Sequence, residues 1–278
     1  MNTNSLLETN KQSLIVYGFQ TDIKWKSADE NLKKIEGWLK IIKPEPGAVV
    51  VLPEMCVTGF CMEVNDICEQ IGGKTEQMFC EIASSMRIFI IAGIALKAEN
   101  GKGRNCAVGF SPDGRIAFRF SKLHPFSLAG EENYYERGDS VVVAEYAGWK
   151  ISPFICYDLR FPESFRSAAL AGAEVMFVMA NWPSKREAHW IPLLQARAIE
   201  NLAYVVGVNR CGKSPEHEYD GESVIISPWG EIVGNGGKIE CVIRAEILKE
   251  TVISTRSNFP ALEDAQLSLS SKIERVSV

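Results

Sequence analysis

Three side chains able to attack, deprotonate or polarise a carbonyl stand at the ends of three hydrophobic stretches of this 278-residue chain. The first is the thiol of Cys156, which follows the apolar run 149–155 and precedes Pro162 and a helix-forming stretch over residues 163–170. At such a strand-to-helix elbow, free backbone N–H groups lower a thiol pKa from about 8.5 and can also hold an oxyanion. The second is the carboxylate of Glu54, which closes the apolar stretch 48–52 just after Pro53. The third is the amine of Lys122, at the end of an alternating stretch through Phe118 and Phe120. Ligand sites in open α/β sheets gather at strand ends, so residues this distant in sequence can converge. Taken singly, each has a plainer reading: Cys156 as a small core residue, Glu54 as a solvated strand terminus, Lys122 as an edge charge that discourages aggregation.

The intervening sequence must supply the elements that bring the three together. Residues 1–12 are polar and expected to fray, and residues 14–19 open the first strand. Ser27 and Glu30 form a capping-box pattern ahead of Leu32, Ile35, Leu39 and Ile42, which recur on one helical face until Pro44 and Pro46 end the helix. A second helix over residues 75–86 turns Met78, Phe79, Ile82 and Met86 inward. Residues 88–98, 104–110 and 115–120 read as strands joined by Asn100-Gly101 and Asp113-Gly114 turns, which gives two antiparallel hairpins. Residues 123–137 have no clear period and carry Glu131, Glu132, Tyr134 and Tyr135, as expected of a functional loop over strand ends. Strands over 141–146, 149–155, 175–180, 204–208, 224–227 and 241–245, with a helix over 187–203, complete the pattern. The order of hairpins and crossovers predicts an α/β fold of two sheets with helices outside. No linker divides the chain, which reads as a single domain over residues 1–278 with its core at about 13–260.

The residues around the three groups have a common resemblance. Leu52-Pro53-Glu54-Met55 with Thr58-Gly59-Phe60, Lys122-Leu123-His124-Pro125-Phe126, and Cys156-Tyr157-Asp158-Leu159-Arg160-Phe161-Pro162-Glu163 resemble, in order, the three signatures of the nitrilase superfamily of carbon–nitrogen hydrolases. Asn181-Trp182-Pro183-Ser184-Lys185-Arg186 and Ala196-Arg197-Ala198-Ile199-Glu200-Asn201 are similar to its bacterial omega-amidase branch. Pro125 stands where the related pattern commonly has Leu, which alters the local loop. The resemblance implies a four-layer α-β-β-α sandwich that pairs through its outer helices, with the tail at 255–278 clasping the partner of a homodimer. It implies that Glu54 takes the thiol proton, Cys156 attacks the amide, and Lys122 with the Tyr157 N–H holds the oxygen anion. A second, substrate-orienting carboxylate is implied in the loop after Lys122, where the count favours Glu131 over Glu132. Arg160, Trp182 and Arg186 flank the expected nucleophile and suit a short amide ending in a carboxylate, such as 2-oxoglutaramate; ion pairing of Arg160 with Asp158 or Glu163 is the structural alternative.

Composition narrows the remaining classes. The net charge is −5 with Lys and Arg scattered, so no nucleic-acid partner is expected. Eight Cys without C-x-x-C spacing, and a start without a signal pattern, point to free thiols in a reducing cytoplasm. No apolar run approaches the ~18 residues of a membrane span. Cys211, His217 and Glu218 lack a recognisable ligand spacing, and no metal or cofactor is implied. His124 and His189 are expected to pack or hydrogen-bond rather than to form a Cys–His pair. The competing functions are hydrolysis of a nitrile or an N-carbamoyl amine by the same three groups, and a binding or scaffold protein without turnover.

Overall fold

The computed structural model describes residues 13–265, so residues 1–12 and the tail beyond 265 lie outside the described residues. Strand β1 (Ser13–Gln20) is followed by helix α1 (Ala28–Ile42), β2 (Val49–Val51), the one-turn α2 (Val64–Ile67) and α3 (Lys74–Met86). The hairpins β3 (Phe89–Lys97), β4 (Gly103–Phe110) and β5 (Ile116–Ser121) come next, then α4 (Glu131–Tyr134) and β6 (Tyr135–Glu136). The second half runs β7 (Ala144–Tyr146), β8 (Trp149–Ile155), α5 (Pro162–Leu170), β9 (Val175–Ala180), α6 (Glu187–Asn201) and β10 (Tyr204–Asn209). A small hairpin, β11 (Cys211–Lys213) and β12 (Glu218–Asp220), precedes β13 (Val224–Ile226), β14 (Ile232–Asn235), β15 (Cys241–Leu248) and α7 (Lys249–Asn258).

These strands form two mixed sheets, one ordered β15-β1-β2-β3-β4-β5 with β6 beside β4, the other β14-β13-β10-β9-β8-β7. The β1, β2 and β3 neighbours are parallel, as are β8, β9 and β10, because a helix crosses between the members of each pair. Side chains alternate between the faces of each strand, and the alternation sorts the core into layers. Val50, Ile90 and Ala92 of the first sheet pack with Leu32, Ile35 and Leu39 of α1 and with Phe79 and Ala83 of α3. Their neighbours Val49, Val51, Phe89 and Ile91 belong instead to the cluster that includes the second sheet. On the far side, α6 approaches β10 so closely that a Cβ on Gly207 would lie 2.4 Å from Leu194 and 3.0 Å from Trp190. The result is helix, sheet, sheet, helix, as the resemblance implied.

Local details depart from the sequence reading. Ser27 makes no side-chain cap bond at α1; Asn31 takes over the entry, its Nδ2 donating to Lys24 O and Val57 O and its Oδ1 accepting the Lys24 N–H. The stretch 123–137 is not a plain loop, since Gly130 turns left-handed between a 3-10 turn over Ser127–Ala129 and α4. Among the described residues no helix is long and apolar enough to cross a membrane.

Candidate active site

Each reactive side chain is delivered by a strand that stops for an identifiable reason. Pro53 has no N–H for the ladder, and Met55 turns through φ +43°, which lifts Glu54 out of line with β2. Gly93 of β3 makes room: a Cβ there would lie 2.5 Å from the Glu54 Cα. The alternation of β5 puts Phe118, Phe120 and Lys122 on the face toward the second sheet, and Lys122 N still donates to Asn105 O at 2.9 Å. Cys156 takes φ +45° immediately after β8, an uncommon conformation for a residue other than glycine. The chain then turns through a 3-10 segment over Cys156–Arg160 into α5, with Pro162 in its first turn. Two of the three reactive strand ends therefore turn through left-handed backbone, which needs support from the surrounding packing.

That support comes from Asp158, a residue that sequence reading offered only as an ion-pair partner of Arg160. Its carboxylate accepts the Ile155 N–H at 3.0 Å and the His124 N–H at 2.9 Å, and lies 2.9 Å from His124 Nδ1. The elbow that carries Cys156 is thereby tied to the loop after Lys122. His124 also stacks on Phe161 with ring centroids 3.7 Å apart. From behind, the buried Arg197 donates twice to Leu159 O, at 3.1 and 2.8 Å.

At the base of the site, Lys122 Nζ donates to Glu54 Oε1 at 3.0 Å and to Glu131 Oε2 at 2.8 Å, and none of the three side chains is more than 1% exposed. Glu131, not Glu132, faces Lys122, because α4 starts there and turns the neighbouring Glu132 outward. Phe126 N also donates to Glu131 Oε2 at 2.6 Å. Two asparagines complete the cluster. Asn105 Nδ2 bridges Glu54 Oε1 (2.7 Å) and Glu131 Oε1 (3.0 Å), and Asn181 donates its backbone N–H to Glu54 Oε2 (2.9 Å) and its Nδ2 to Glu54 O (2.5 Å). Asn105 had no signal beyond being a polar residue at the start of an apolar strand. Burial alone would push the Lys122 ammonium down, but the Glu131 and Glu54 carboxylates outweigh it and raise it above the usual lysine value. Burial, then the Glu54 charge, push the Cys156 thiol well up, with Lys122 pulling the other way. Both effects favour the protonated, uncharged thiol.

Cys156, Glu54 and Lys122 line one pocket together with Tyr157, Trp182 and Arg186. Arg160 lies over the Trp182 ring at 4.7 Å, and Arg186 lies over the Phe126 ring at 5.0 Å. Trp182 is fixed by donating its N–H to Asn209 Oδ1 (2.7 Å) and its Nε1–H to Arg186 O (2.8 Å). The alternative pairing of Arg160 with Asp158 or Glu163 does not form: Asp158 is committed to the elbow, and Arg160 Nη2 instead meets His189 Nδ1 at 3.1 Å. Burial, and then the charge of Arg186, lower the Arg160 guanidinium from its ordinary value, so two cations share one wall of the pocket. Among the described residues neither arginine forms an ion pair with a carboxylate. A neutral thiol, a carboxylate in hydrogen-bonded contact with a buried ammonium, and two cations open to a ligand suit attack on the amide of a small anionic molecule.

Comparison with known proteins bears on the family of the whole chain. Residues 18–257 match the family model described as carbon–nitrogen hydrolase. The chain is similar to 2-oxoglutaramate amidase of Bacillus subtilis, 34% identical over 90% of this chain and 96% of that one. It is also similar to omega-amidase YafV of Escherichia coli, 35% identical over 88% of this chain and 94% of the relative. Among solved structures, a carbon–nitrogen hydrolase superfamily protein of Xanthomonas campestris with an arsenic adduct in its active site superposes with a TM-score of 0.85, covering 91% of this chain and 97% of that one at 29% identity.

Proposed function

The chain belongs to the carbon–nitrogen hydrolase family, and from that premise we propose that it hydrolyses the omega-amide of a short dicarboxylic acid, such as 2-oxoglutaramate, to the acid and ammonia. In this reading Glu54 accepts the Cys156 proton as sulfur bonds to the amide carbon, and the carbonyl electrons pass to an oxygen held by Lys122 and the Tyr157 N–H. Protonated Glu54 returns its proton to the nitrogen, the C–N bond breaks, and ammonia leaves a thioester on Cys156. Water, deprotonated by Glu54, attacks the thioester, and the thiol is restored as the acid departs. Glu131 orients Lys122 and the amide. At the other end, Arg186, with Arg160 on its Trp182 platform, receives the carboxylate of the substrate.

The observation that carries the reading is the shared pocket: Glu54, Lys122 and Cys156 line it together with two arginines that have no carboxylate partner among the described residues. Ammonia release across small amides, nitriles and N-carbamoyl amines tests it. The reading expects 2-oxoglutaramate to be preferred over a neutral amide of equal length, and a preference for the neutral amide or for a nitrile overturns it. The same reading takes the protein to be a cytoplasmic homodimer of single-domain subunits, paired over exposed apolar residues such as Ile199, Trp229 and Phe259. Light scattering at the monomer mass would remove the dimer.

A further inference from the structure

The reaction pocket does not end at Arg186. It meets an outer pocket at Pro183 and His217, which line both, and the outer pocket carries Lys185, Lys213, Glu216 and Glu218 on its walls, with Lys213 paired to Glu218. His217 belongs to the four-residue tip of the β11–β12 hairpin, a stretch the chemistry described so far does not use. The tip is closed on itself, Ser214 N donating to His217 O at 2.8 Å and His217 N donating to Ser214 Oγ at 3.2 Å. Its base is anchored by the fully buried Arg210, which donates to the Cys211, Ile23 and Lys213 carbonyls and lies 4.5 Å over the Tyr219 ring. Tyr219 in turn stands edge-on to the His217 imidazole at 6.4 Å. Gly212 lets the hairpin settle against Asp22, where a Cβ would lie 2.1 Å from Oδ1. An imidazole carried by so fixed a hairpin acts as a wall and not as a loose flap. Its Nδ1 is buried and has no hydrogen-bond partner among the described residues.

We propose that His217 is a specificity-determining residue: it partitions the reaction pocket from the outer pocket and thereby limits the length of the acyl chain between the amide and the distal carboxylate. The inference rests on the omega-amidase reading, in which the acid end of the substrate points toward Arg186, the residue that closes the 3-10 turn Ser184–Arg186 just after Pro183. With the imidazole in place, a short chain ends against Arg186 and His217. Without it, the two pockets join, and the carboxylate of a longer chain reaches Lys185, which has no carboxylate partner among the described residues.

The test is the rate of ammonia release from the monoamides of four-, five-, six- and seven-carbon dicarboxylic acids, with the wild type, His217→Ala and His217→Phe. The wild type should favour the four- and five-carbon acids. His217→Ala should raise kcat/KM for the six- and seven-carbon substrates relative to the five-carbon one by about 10-fold or more, chiefly through KM, which is the scale of pocket-length discrimination. His217→Phe, which restores a wall without the nitrogen, should return the wild-type order of lengths. An unchanged order in His217→Ala, or the same relaxation in both variants, overturns the role of His217 while leaving the omega-amidase reading intact. A wild type inactive on every monoamide overturns that reading and this inference with it.

Discussion

The two ends of the pocket treat charge in opposite ways. At the base, Glu54, Glu131 and Lys122 are buried together, and backbone or asparagine N–H groups meet the carboxylate oxygens that the ammonium leaves free. At the far wall, Arg160 and Arg186 rest on aromatic rings with no carboxylate against them among the described residues. Burying a charge costs several kcal/mol unless it is paired and hydrogen-bonded, so the base must be a preassembled unit, held by the protein with or without substrate. The arginines escape that demand by staying in contact with the open pocket, and their unmet charge is available to an incoming anion. One end is built for chemistry and the other for recognition, and the two should fail differently.

The largest effect is expected for Lys122→Met, which leaves two buried carboxylates facing each other. Removing one partner of a buried pair costs about 3–5 kcal/mol, so this variant should lose fold stability as well as turnover. The stability loss should shrink as the pH is lowered, because a carboxylate can then take up a proton; thermal melts across pH check this, and a melt equal to the wild type would break the picture of a preassembled base. Glu54→Gln keeps the shape but sets an NH2 group against N–H donors on one side, and it cannot accept the thiol proton. It should still fold, with a stability loss smaller than that of Lys122→Met, and lose about 10²- to 10⁴-fold in kcat, and a near-normal kcat would exclude Glu54 as the base. Asn105→Ala sharpens the comparison, since it removes a donor to both carboxylates without touching the pocket wall. At about 1.5–3 kcal/mol for a charged hydrogen bond, kcat should fall roughly 10- to 150-fold with KM little changed, and a change confined to KM would move Asn105 to the recognition end. Arg186→Met should lose about 10- to 150-fold in kcat/KM on 2-oxoglutaramate and far less on a neutral amide of equal length. Equal losses on both substrates would make Arg186 a structural residue.

The same division explains what the sequence could and could not reveal. Glu54, Lys122 and Cys156 were candidates because a charge or thiol at the end of an apolar strand interrupts a pattern, and the resemblance of their flanking residues to family signatures set them above the plainer readings. Asn105 was not, since its role depends on β4 lying opposite Lys122 in the sheet, a pairing that no local pattern encodes. Asp158 was visible, but its partners are set by the tight turn after Cys156, which aims the carboxylate back at Ile155 and His124 rather than at Arg160. The choice between Glu131 and Glu132 turned on the first residue of a one-turn helix, a boundary finer than periodicity can fix. The β11–β12 hairpin is short, polar at its tip and held by Arg210 from outside its own strands, so its wall over the pocket came into view only with the fold.

The central claim is that the chemistry passes through a covalent bond to one thiol among eight. Wild-type enzyme should be mixed with a slowly hydrolysed amide, quenched in acid, digested, and its cysteine peptides weighed by mass spectrometry. The account predicts a mass increase equal to the acyl group on the peptide carrying Cys156, and none in Cys156→Ala, which should retain the fold and release no ammonia. An acyl adduct on any other cysteine, or sustained turnover by Cys156→Ala, would contradict it.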